Sequence, residues 1–259
     1  TITIENKTLV VGERINPTGK KTFQEELRAG KTNYIREQAL EQVSQGAALL
    51  DVNVGVAGLD EKKALPRAVE IVQSLVDAPL VIDTSDAGAL ELALKKSDGK
   101  PLINSVNGSE KSLSSVLPLA KRYGAAVIAL TLDDEGIPKT AEKRVEIAEK
   151  IAGRAEKMGI RKQDIIVDCL VMTIATNPEN EKINLDSLKK IKKMGYRTIL
   201  GVSNISHGLP NRPEINSKFL TKSSTAGLDL AIINPKDNIV QENTDIEVFK
   251  AKKISREEY

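Results

Sequence analysis

The sequence predicts a single (β/α)8 barrel, and three observations lead to that fold class. Eight short runs rich in Val, Ile and Leu recur along the 259 residues. The runs are nearly continuous rather than alternating, which indicates strands buried on both faces, as in a parallel sheet. Segments with helical periodicity separate them, and the length suits a barrel of ~250 residues. The predicted strands are 8–12, 48–54, 80–83, 102–104, 126–132, 165–168, 198–204 and 230–234.

Three of the segments between strands have the 3.6-residue periodicity of amphipathic helices. Pro118 interrupts a fourth, and we expect a kink there because proline removes a backbone hydrogen bond. Asp86 and Asn184 are expected to cap helix N-termini. The residues expected on the inward faces are Ala87, Leu90 and Leu94; Val145, Ala148, Ile151, Ala152, Ala155 and Met158; and Leu185, Leu188 and Ile191.

No linker or low-complexity segment divides the chain, so we expect one domain over residues 1–259. The alternative is an open doubly wound sheet, which would usually carry a Gly-rich dinucleotide turn after its first strand. No such turn is present. The stretch GERINPTGKKT is not a phosphate-binding P-loop either, because six residues separate Gly12 from Gly19 and Lys20 is followed by Lys21.

Composition argues against several classes of function. The net charge is +2, aromatic residues make up 3%, and there is no Trp, so neither nucleic acid nor an anionic membrane is an expected partner. Cys169 and His207 are the only residues of their types, which excludes a disulfide within the chain and a structural zinc site. With no apolar leader or long apolar run, the protein is expected to be cytoplasmic.

Polar residues follow almost every predicted strand. In a parallel barrel these strand ends converge on one mouth, where active sites are built. Helix capping is the alternative explanation, but Asp83, Asn104, Asp168 and Asn204 directly end apolar runs, before a helix could start. The full set is Glu13, Asn16, Asp51, Asn53, Asp83, Ser85, Asn104, Asn107, Thr131, Asp168, Asn204 and Asn234.

This mouth is rich in amides and carboxylates and poor in catalytic bases. A Ser-His-Asp arrangement is not supported, and Cys169 fits better as a small core residue than as a nucleophile. Magnesium bound by Asp51, Asp83 and Asp168 is an alternative, although no close acidic cluster marks it. A planar heterocycle with both donors and acceptors fits best, since a carboxylate accepts paired N–H groups and amides match mixed edges. A reduced pterin has such an edge.

The motifs VGERINPTG, LDVNVG, VIDTSD, LINSVN, IVDCL, GVSNISHGLPNRPEIN and GLDLAIINP occur in that order. Together they resemble the methyltetrahydrofolate–corrinoid methyltransferase family, over about residues 8–235. The family includes the folate module of cobalamin-dependent methionine synthase and the folate-side methyltransferases of anaerobic O-demethylase systems. The resemblance implies a pterin-binding (β/α)8 barrel that is usually a homodimer.

The resemblance also implies roles for individual residues. Asp83, Asn104 and Asp168 match positions that hold the pterin ring, and Asn204 matches the catalytic amide that approaches N5. Arg212 and Asn216 match a segment near the reacting end or the corrinoid-facing rim. The sequence departs from the family where Cys169 replaces a frequent proline, and His207 matches no family role. The remaining expected substrate-binding residues are Glu13, Asn16, Asp51, Asn53 and Ser85.

The expected activity is methyl transfer between N5 of (methyl)tetrahydrofolate and the cobalt of a corrinoid protein. The chain has no Asp-x-His-x-x-Gly signature, so we expect a free-standing enzyme whose corrinoid arrives on a partner docked over the mouth, and no metal bound by the chain itself. The first motif favours the O-demethylase type, in which tetrahydrofolate accepts the methyl group. Dihydropteroate synthase and a non-catalytic pterin-binding or corrinoid-docking module are the alternatives. The first of these is weaker because GVSNISHG has no basic residue.

Overall fold

A computed structural model describes residues 8–236, which form a closed barrel of eight parallel strands. Each strand pairs with the next, and β8 pairs with β1 to close the barrel. The predicted fold class is therefore confirmed. The one-domain prediction for 1–259 includes residues 1–7 and 237–259, which lie outside the described part. The strands are β1 (Leu9–Ile15), β2 (Leu49–Val52), β3 (Leu80–Asp83), β4 (Leu102–Asn107), β5 (Ala126–Leu130), β6 (Ile165–Asp168), β7 (Arg197–Gly201) and β8 (Leu230–Ile233).

Helices alternate with the strands, and none in the described part is long and apolar enough to cross a membrane. Two helices separate β1 from β2, and one separates each later pair of strands. The predicted interruption at Pro118 does not end its helix. The helices are α1 (Lys21–Arg28), α2 (Asn33–Ser44), α3 (Glu61–Gln73), α4 (Ala87–Leu94), α5 (Glu110–Tyr123), α6 (Ala141–Lys157), α7 (Asn180–Lys193) and α8 (Arg212–Thr225).

Two apolar cores flank the barrel wall. One consists of strand residues and fills the barrel interior, and the other lies between the strands and the helices. Leu49, Val81, Leu102 and Ile166 belong to the inner core. Because side chains alternate along a strand, residues two positions further on also face inward. That periodicity places Asp51, Asp83, Asn104 and Asp168 on the inside, at the carboxyl end of the barrel.

The predicted inward faces of the helices are largely confirmed. In α6, Ala148, Ile151, Ala152 and Ala155 are buried, as are Leu90, Leu94, Leu188 and Ile191 in α4 and α7. Ala87, Val145, Met158 and Leu185 are only partly buried. In α6, Arg144 and Ile147 are buried as well, and each directly precedes a residue predicted to face inward.

Two strands, β1 and β4, run three residues further than the sequence predicts, to Ile15 and Asn107. Both contain a one-residue bulge. Between Gly12 and Ile15, β1 has one residue more than the paired stretch of β2, and β4 has one more than β5 between Ile103 and Val106. A bulge changes the direction of the side chains beside it. Glu13 and Asn104 both lie within these bulged stretches.

Candidate active site at the barrel mouth

A cleft of about 350 Å³ opens at the mouth between β3–α4 and β4–α5. Its lining is mostly polar, and three of the residues predicted for the site face it. Asp83 and Asn104 contribute from the strand ends, and Ser85 from the loop before α4. Asn107 at the end of β4 and Lys111 in the first turn of α5 extend the lining outward.

Four of the predicted residues lie at the ends of β2, β3 and β4 and form two hydrogen-bonded pairs. We call them the β2–β4 cluster: Asp51, Asn53, Asp83 and Asn104. Asn53 Nδ2 donates to Asp83 Oδ2 at 2.9 Å. Asn104 Nδ2 donates to Asp51 Oδ1 at 3.2 Å. Each carboxyl group therefore has an amide donor, from the end of β2 for Asp83 and from β4, across β3, for Asp51, and both amides have a fixed direction.

Of the two aspartates in the cluster, Asp51 is more deeply buried than Asp83. Asp51 is 3% exposed, and burial followed by the negative charge of Asp83 raises its pKa well above the usual range. Burial also raises the pKa of Asp83, against the hydrogen bond from Asn53. Asp51 is thus the carboxyl group better suited to hold a proton, and Asp83, which lines the cleft, is better placed to meet a ligand.

Asp168 reaches the mouth from the end of β6. Its Oδ1 accepts a hydrogen bond from Leu170 N at 2.7 Å. Burial raises the pKa of Asp168 to about 6, while the Leu170 N–H and the charge of Arg144 act in the opposite direction. Asp168 is consequently ionised at neutral pH and can accept N–H groups from a ligand.

The three residues Asp168, Cys169 and Leu170 form a segment that we call the β6 loop. Leu170 has a left-handed backbone, with φ 55°, which is uncommon for residues other than glycine. Asn184 Nδ2 donates to Leu170 O at 3.1 Å. Asn184 is buried inside α7, so its predicted capping role is wrong: α7 begins four residues earlier, at Asn180. Cys169 is buried, as predicted for a core residue.

Asn204 lies on a short 3-10 turn, Val202–Ser206, that follows β7. Its side chain is exposed. A Cβ placed on Gly201 would lie 2.9 Å from Asn204 Nδ2. The glycine therefore leaves room for the amide to fold back towards the end of β7.

Hydrogen bonds connect the Asn204 turn to β1 near the start of the barrel and to α8 near its end. On one side, Ser203 Oγ donates to Glu13 Oε2 in β1 at 2.9 Å. On the other, Arg212 Nη2 donates to Ser203 O at 2.9 Å, and Arg212 Nε donates to Ser206 Oγ at 3.1 Å. Ser206 Oγ donates to the buried Asn216 at 2.6 Å. Arg212 and Asn216 thus hold the turn, and substrate contact by Arg212 remains a prediction.

The other predicted residues shape the surrounding loops. Asn16 Oδ1 accepts from Thr18 N at 3.0 Å, which closes the turn after β1. Asp86 caps α4 as predicted, because its Oδ1 accepts from the N–H groups of Gly88 and Ala89. His207 is exposed, and its N–H donates to Asn204 O at 3.1 Å.

The sequence interpretation missed Ser203 and Arg144. Ser203 has no distinguishing pattern, since its partner Glu13 is 190 positions away. Arg144 did leave a signal, because it is spaced by four and seven residues from the inward Ala148 and Ile151. An arginine in phase with an apolar face indicates a buried guanidinium with a specific partner.

Residues 8–236 contain no group of three or more His, Cys, Asp and Glu side chains arranged to hold a metal ion. The three aspartates considered for magnesium are instead distributed between the β2–β4 cluster and the β6 loop. Their chemistry is that of hydrogen-bond acceptors around a cleft that also offers amide donors.

Similarity to known proteins identifies the family of this chain. Residues 12–234 match the family described as pterin binding enzymes. The chain belongs to the pterin-binding enzyme family. It is 33% identical over 235 residues to the methylcorrinoid:tetrahydrofolate methyltransferase of Eubacterium limosum, and the match covers 88% of this chain and 85% of that protein. This relative confirms the family predicted from the motifs.

Two methionine synthases and two solved structures are also similar to this chain. The chain is 37% identical over 243 residues to the methionine synthase of Mycobacterium leprae, a match that covers 87% of this chain. It spans about a fifth of the length of that protein and of the methionine synthase of Mycobacterium tuberculosis. A crystal structure of dihydropteroate synthetase with a product superposes with a TM-score of 0.71 at 18% identity, covering 93% of each chain. The Yersinia pestis dihydropteroate synthase with a sulfonamide superposes with a TM-score of 0.71 at 16% identity, and the match covers 93% of this chain and 92% of that chain. These structures show the fold alone.

Proposed function

We propose that this protein transfers a methyl group between N5 of (methyl)tetrahydrofolate and the cobalt of a corrinoid carried by a partner protein. The observation that carries the proposal is the 33% identity, over most of both chains, to a methylcorrinoid:tetrahydrofolate methyltransferase. The polar residues of the mouth support it, because they offer the acceptors and amides that a pterin edge requires. We propose the tetrahydrofolate side of an O-demethylase or related one-carbon pathway as its setting, in the cytoplasm and as a homodimer.

Binding is the first task of the chain in this proposal. Asp83 and Asn104 line the cleft and contact one edge of the pterin. Asp168, ionised at neutral pH, accepts N–H groups from the pterin in paired charge-assisted hydrogen bonds. Asp51 lies beneath Asn104 and holds that amide in a fixed direction. These contacts orient the ring so that N5 faces the open mouth.

The reaction itself needs a group that stabilises charge at N5. The partner's cobalt supplies the nucleophile or the methyl group, according to direction. N5 becomes a better leaving group when it carries positive charge, and in the reverse direction it must be an unprotonated nucleophile. The Asn204 amide suits both directions, because it can donate or accept a hydrogen bond without titrating. The Ser203–Glu13 and Arg212–Ser206 bonds keep its turn in place.

The test follows free cob(I)alamin by absorbance in the presence of methyltetrahydrofolate and this protein. We expect methylcobalamin to form well above the uncatalysed rate, and its absence would exclude the proposed activity. Tetrahydrofolate binding without turnover would favour a non-catalytic module. Condensation of p-aminobenzoate with a pterin pyrophosphate would instead establish dihydropteroate synthase.

Asn204→Ala separates chemistry from binding. We expect this variant to slow methyl transfer by about 10²-fold, the effect of removing one preorganised donor, and to change the Kd for tetrahydrofolate far less. Gln73→Ala is the matched control, because its amide bonds to Lys96 O at the opposite end of the barrel. Equal losses in rate and in affinity for Asn204→Ala would contradict its assigned role.

A further inference from the structure

A charged side chain lies buried behind the β6 loop and takes no part in the mechanism above. Arg144 projects from α6, is 2% exposed, and is among the largest fully buried side chains of the described residues. Burying a guanidinium is costly unless its N–H groups are hydrogen-bonded. The partners of this one therefore explain why the chain keeps it there.

In the described part of the chain, the hydrogen bonds of Arg144 go to backbone carbonyls. Nη1 donates to Cys169 O at 2.7 Å and to Leu170 O at 2.8 Å. Nε donates to Pro138 O at 3.1 Å, in the loop before α6. The first two acceptors are the residues that immediately follow Asp168. A rigid planar donor thus fixes two successive peptide groups of the β6 loop.

Those peptide groups determine the position of the Asp168 carboxylate. Its Oδ1 accepts from Leu170 N, in the residue with the left-handed backbone. An isolated left-handed leucine is unfavourable, so the surroundings must hold it. Arg144 and Asn184 do so from α6 and α7, by donating to Leu170 O. The positive charge of Arg144 also favours the ionised form of Asp168.

We propose that Arg144 is a positioning residue of the ligand site: its buried guanidinium holds the β6 loop in the conformation that presents the Asp168 carboxylate to the pterin. This inference rests on the proposed function, because it assumes that Asp168 binds the pterin. Arg144 itself does not touch the ligand. Its hydrogen bonds hold the backbone on the side of Asp168 away from the mouth.

The test uses Arg144→Gln and Arg144→Lys, with Arg154→Gln as the matched control. Arg154 lies on the same helix, but it is exposed and pairs with Glu110 at 2.9 Å. We expect Arg144→Gln to weaken tetrahydrofolate binding by about 10- to 100-fold at pH 7, as for loss of hydrogen bonds to a charged donor. Arg144→Lys, which keeps the charge but not the planar fork, should recover part of the affinity. Arg154→Gln should bind as the wild type does.

A double-mutant cycle with Asp168→Asn distinguishes positioning from general destabilisation. If Arg144 acts through Asp168, Arg144→Gln should weaken binding little further once Asp168 has been replaced. Losses that multiply in the double variant would overturn the proposal. Circular dichroism and thermal melts identify variants that fail to fold, and Arg144→Lys then provides the second route to the same comparison.

A measurement without ligand separates this inference from the proposed function. The carboxyl carbon of Asp168 can be titrated by ¹³C NMR and identified by its loss in Asp168→Asn. The charge of Arg144 acts on this carboxylate, whereas the neighbouring Cys169 thiol stays uncharged because burial raises its pKa. Arg144→Gln should raise the pKa of Asp168 by about one unit, because a nearby positive charge is lost. An unchanged pKa in the folded variant would overturn the positioning of Asp168 by Arg144. A wild type that binds no tetrahydrofolate but shows this pKa change would overturn the proposed function and the pterin as ligand, and would leave the positioning of Asp168 standing.

Discussion

The β2–β4 cluster and the β6 loop present carboxylates to the same mouth, but they are held in different ways. In the cluster, side chains at the ends of β2, β3 and β4 bond to one another, as Asn53 does to Asp83 and Asn104 to Asp51. In the loop, Asp168 bonds to its own backbone, and a helix on the outside of the barrel holds that backbone. The cluster therefore depends on its own members, whereas the loop depends on residues far from the ligand.

The largest effect is expected at Asp168, whose carboxylate accepts from a backbone N–H rather than from a side chain within residues 8–236. Asp168→Ala should weaken tetrahydrofolate binding by roughly 2–4 kcal/mol, because a charged, paired hydrogen bond to the ligand is lost. Isothermal titration at pH 7.5 measures this, with Gln73→Ala as the control. An affinity within twofold of the wild type would show that Asp168 does not contact the pterin.

The next effect concerns the buried carboxyl group of the cluster. Burial raises the pKa of Asp51 well above its usual range, and asparagine keeps an oxygen that can accept from Asn104, so Asp51→Asn should lower the free energy of unfolding by less than about 1 kcal/mol. Asp51→Ala removes the acceptor of Asn104 and should cost about 1–3 kcal/mol. Urea unfolding compares the two variants. An asparagine variant as unstable as the alanine variant would mean that Asp51 is needed in its charged form.

A third prediction reverses the usual direction of a mutational effect. The folded-state pKa of Asp168, about 6, lies above its ordinary value, so the folded protein resists ionising this group. The resulting destabilisation is present above pH 6 and disappears as the pH falls through the ordinary value near 4. Asp168→Asn should therefore stabilise the protein against urea by roughly 2–3 kcal/mol at pH 8, at ~1.4 kcal/mol per pH unit between the two pKa values, and by almost nothing near pH 3. A gain that is independent of pH would contradict this origin.

The smallest effect is the pH dependence of binding. Below the pKa of Asp168, about 6, the carboxyl group is protonated and loses its charged acceptor. Tetrahydrofolate affinity should then fall by up to about tenfold per pH unit as the pH decreases. Fluorescence titration from pH 5 to 8 measures the change. The same titration of Asp168→Asn measures the pH dependence that comes from the ligand and from Asp83. If the variant and the wild type give the same profile, the pH dependence belongs to those groups and not to Asp168.

The same contrast explains what could be predicted from the sequence. Apolar runs are local, so the barrel and the residues ending its strands, including Asp83 and Asp168, followed from the order of residues. Hydrogen bonds across the barrel are not local. The sequence predicts a helix cap at Asn184, because the inward contact of this residue with the β6 loop cannot be seen in the sequence. The burial of Arg144 is not predicted from the sequence, because charge usually marks an exposed face.

The bulges were also invisible in the sequence, because an extra residue is defined only against its partner strand. They have a consequence for how this barrel can change. Deleting one residue at Glu13 or at Ser105 would restore regular pairing in β1 or β4, while Ile15 and Val106 would keep their partners Val52 and Ala129. The change would therefore be confined to the side chains within the bulge. A single-codon deletion would thus remove or redirect what the bulge presents at the mouth, Glu13 in β1 or Asn104 in β4, and leave the rest of the strand in place.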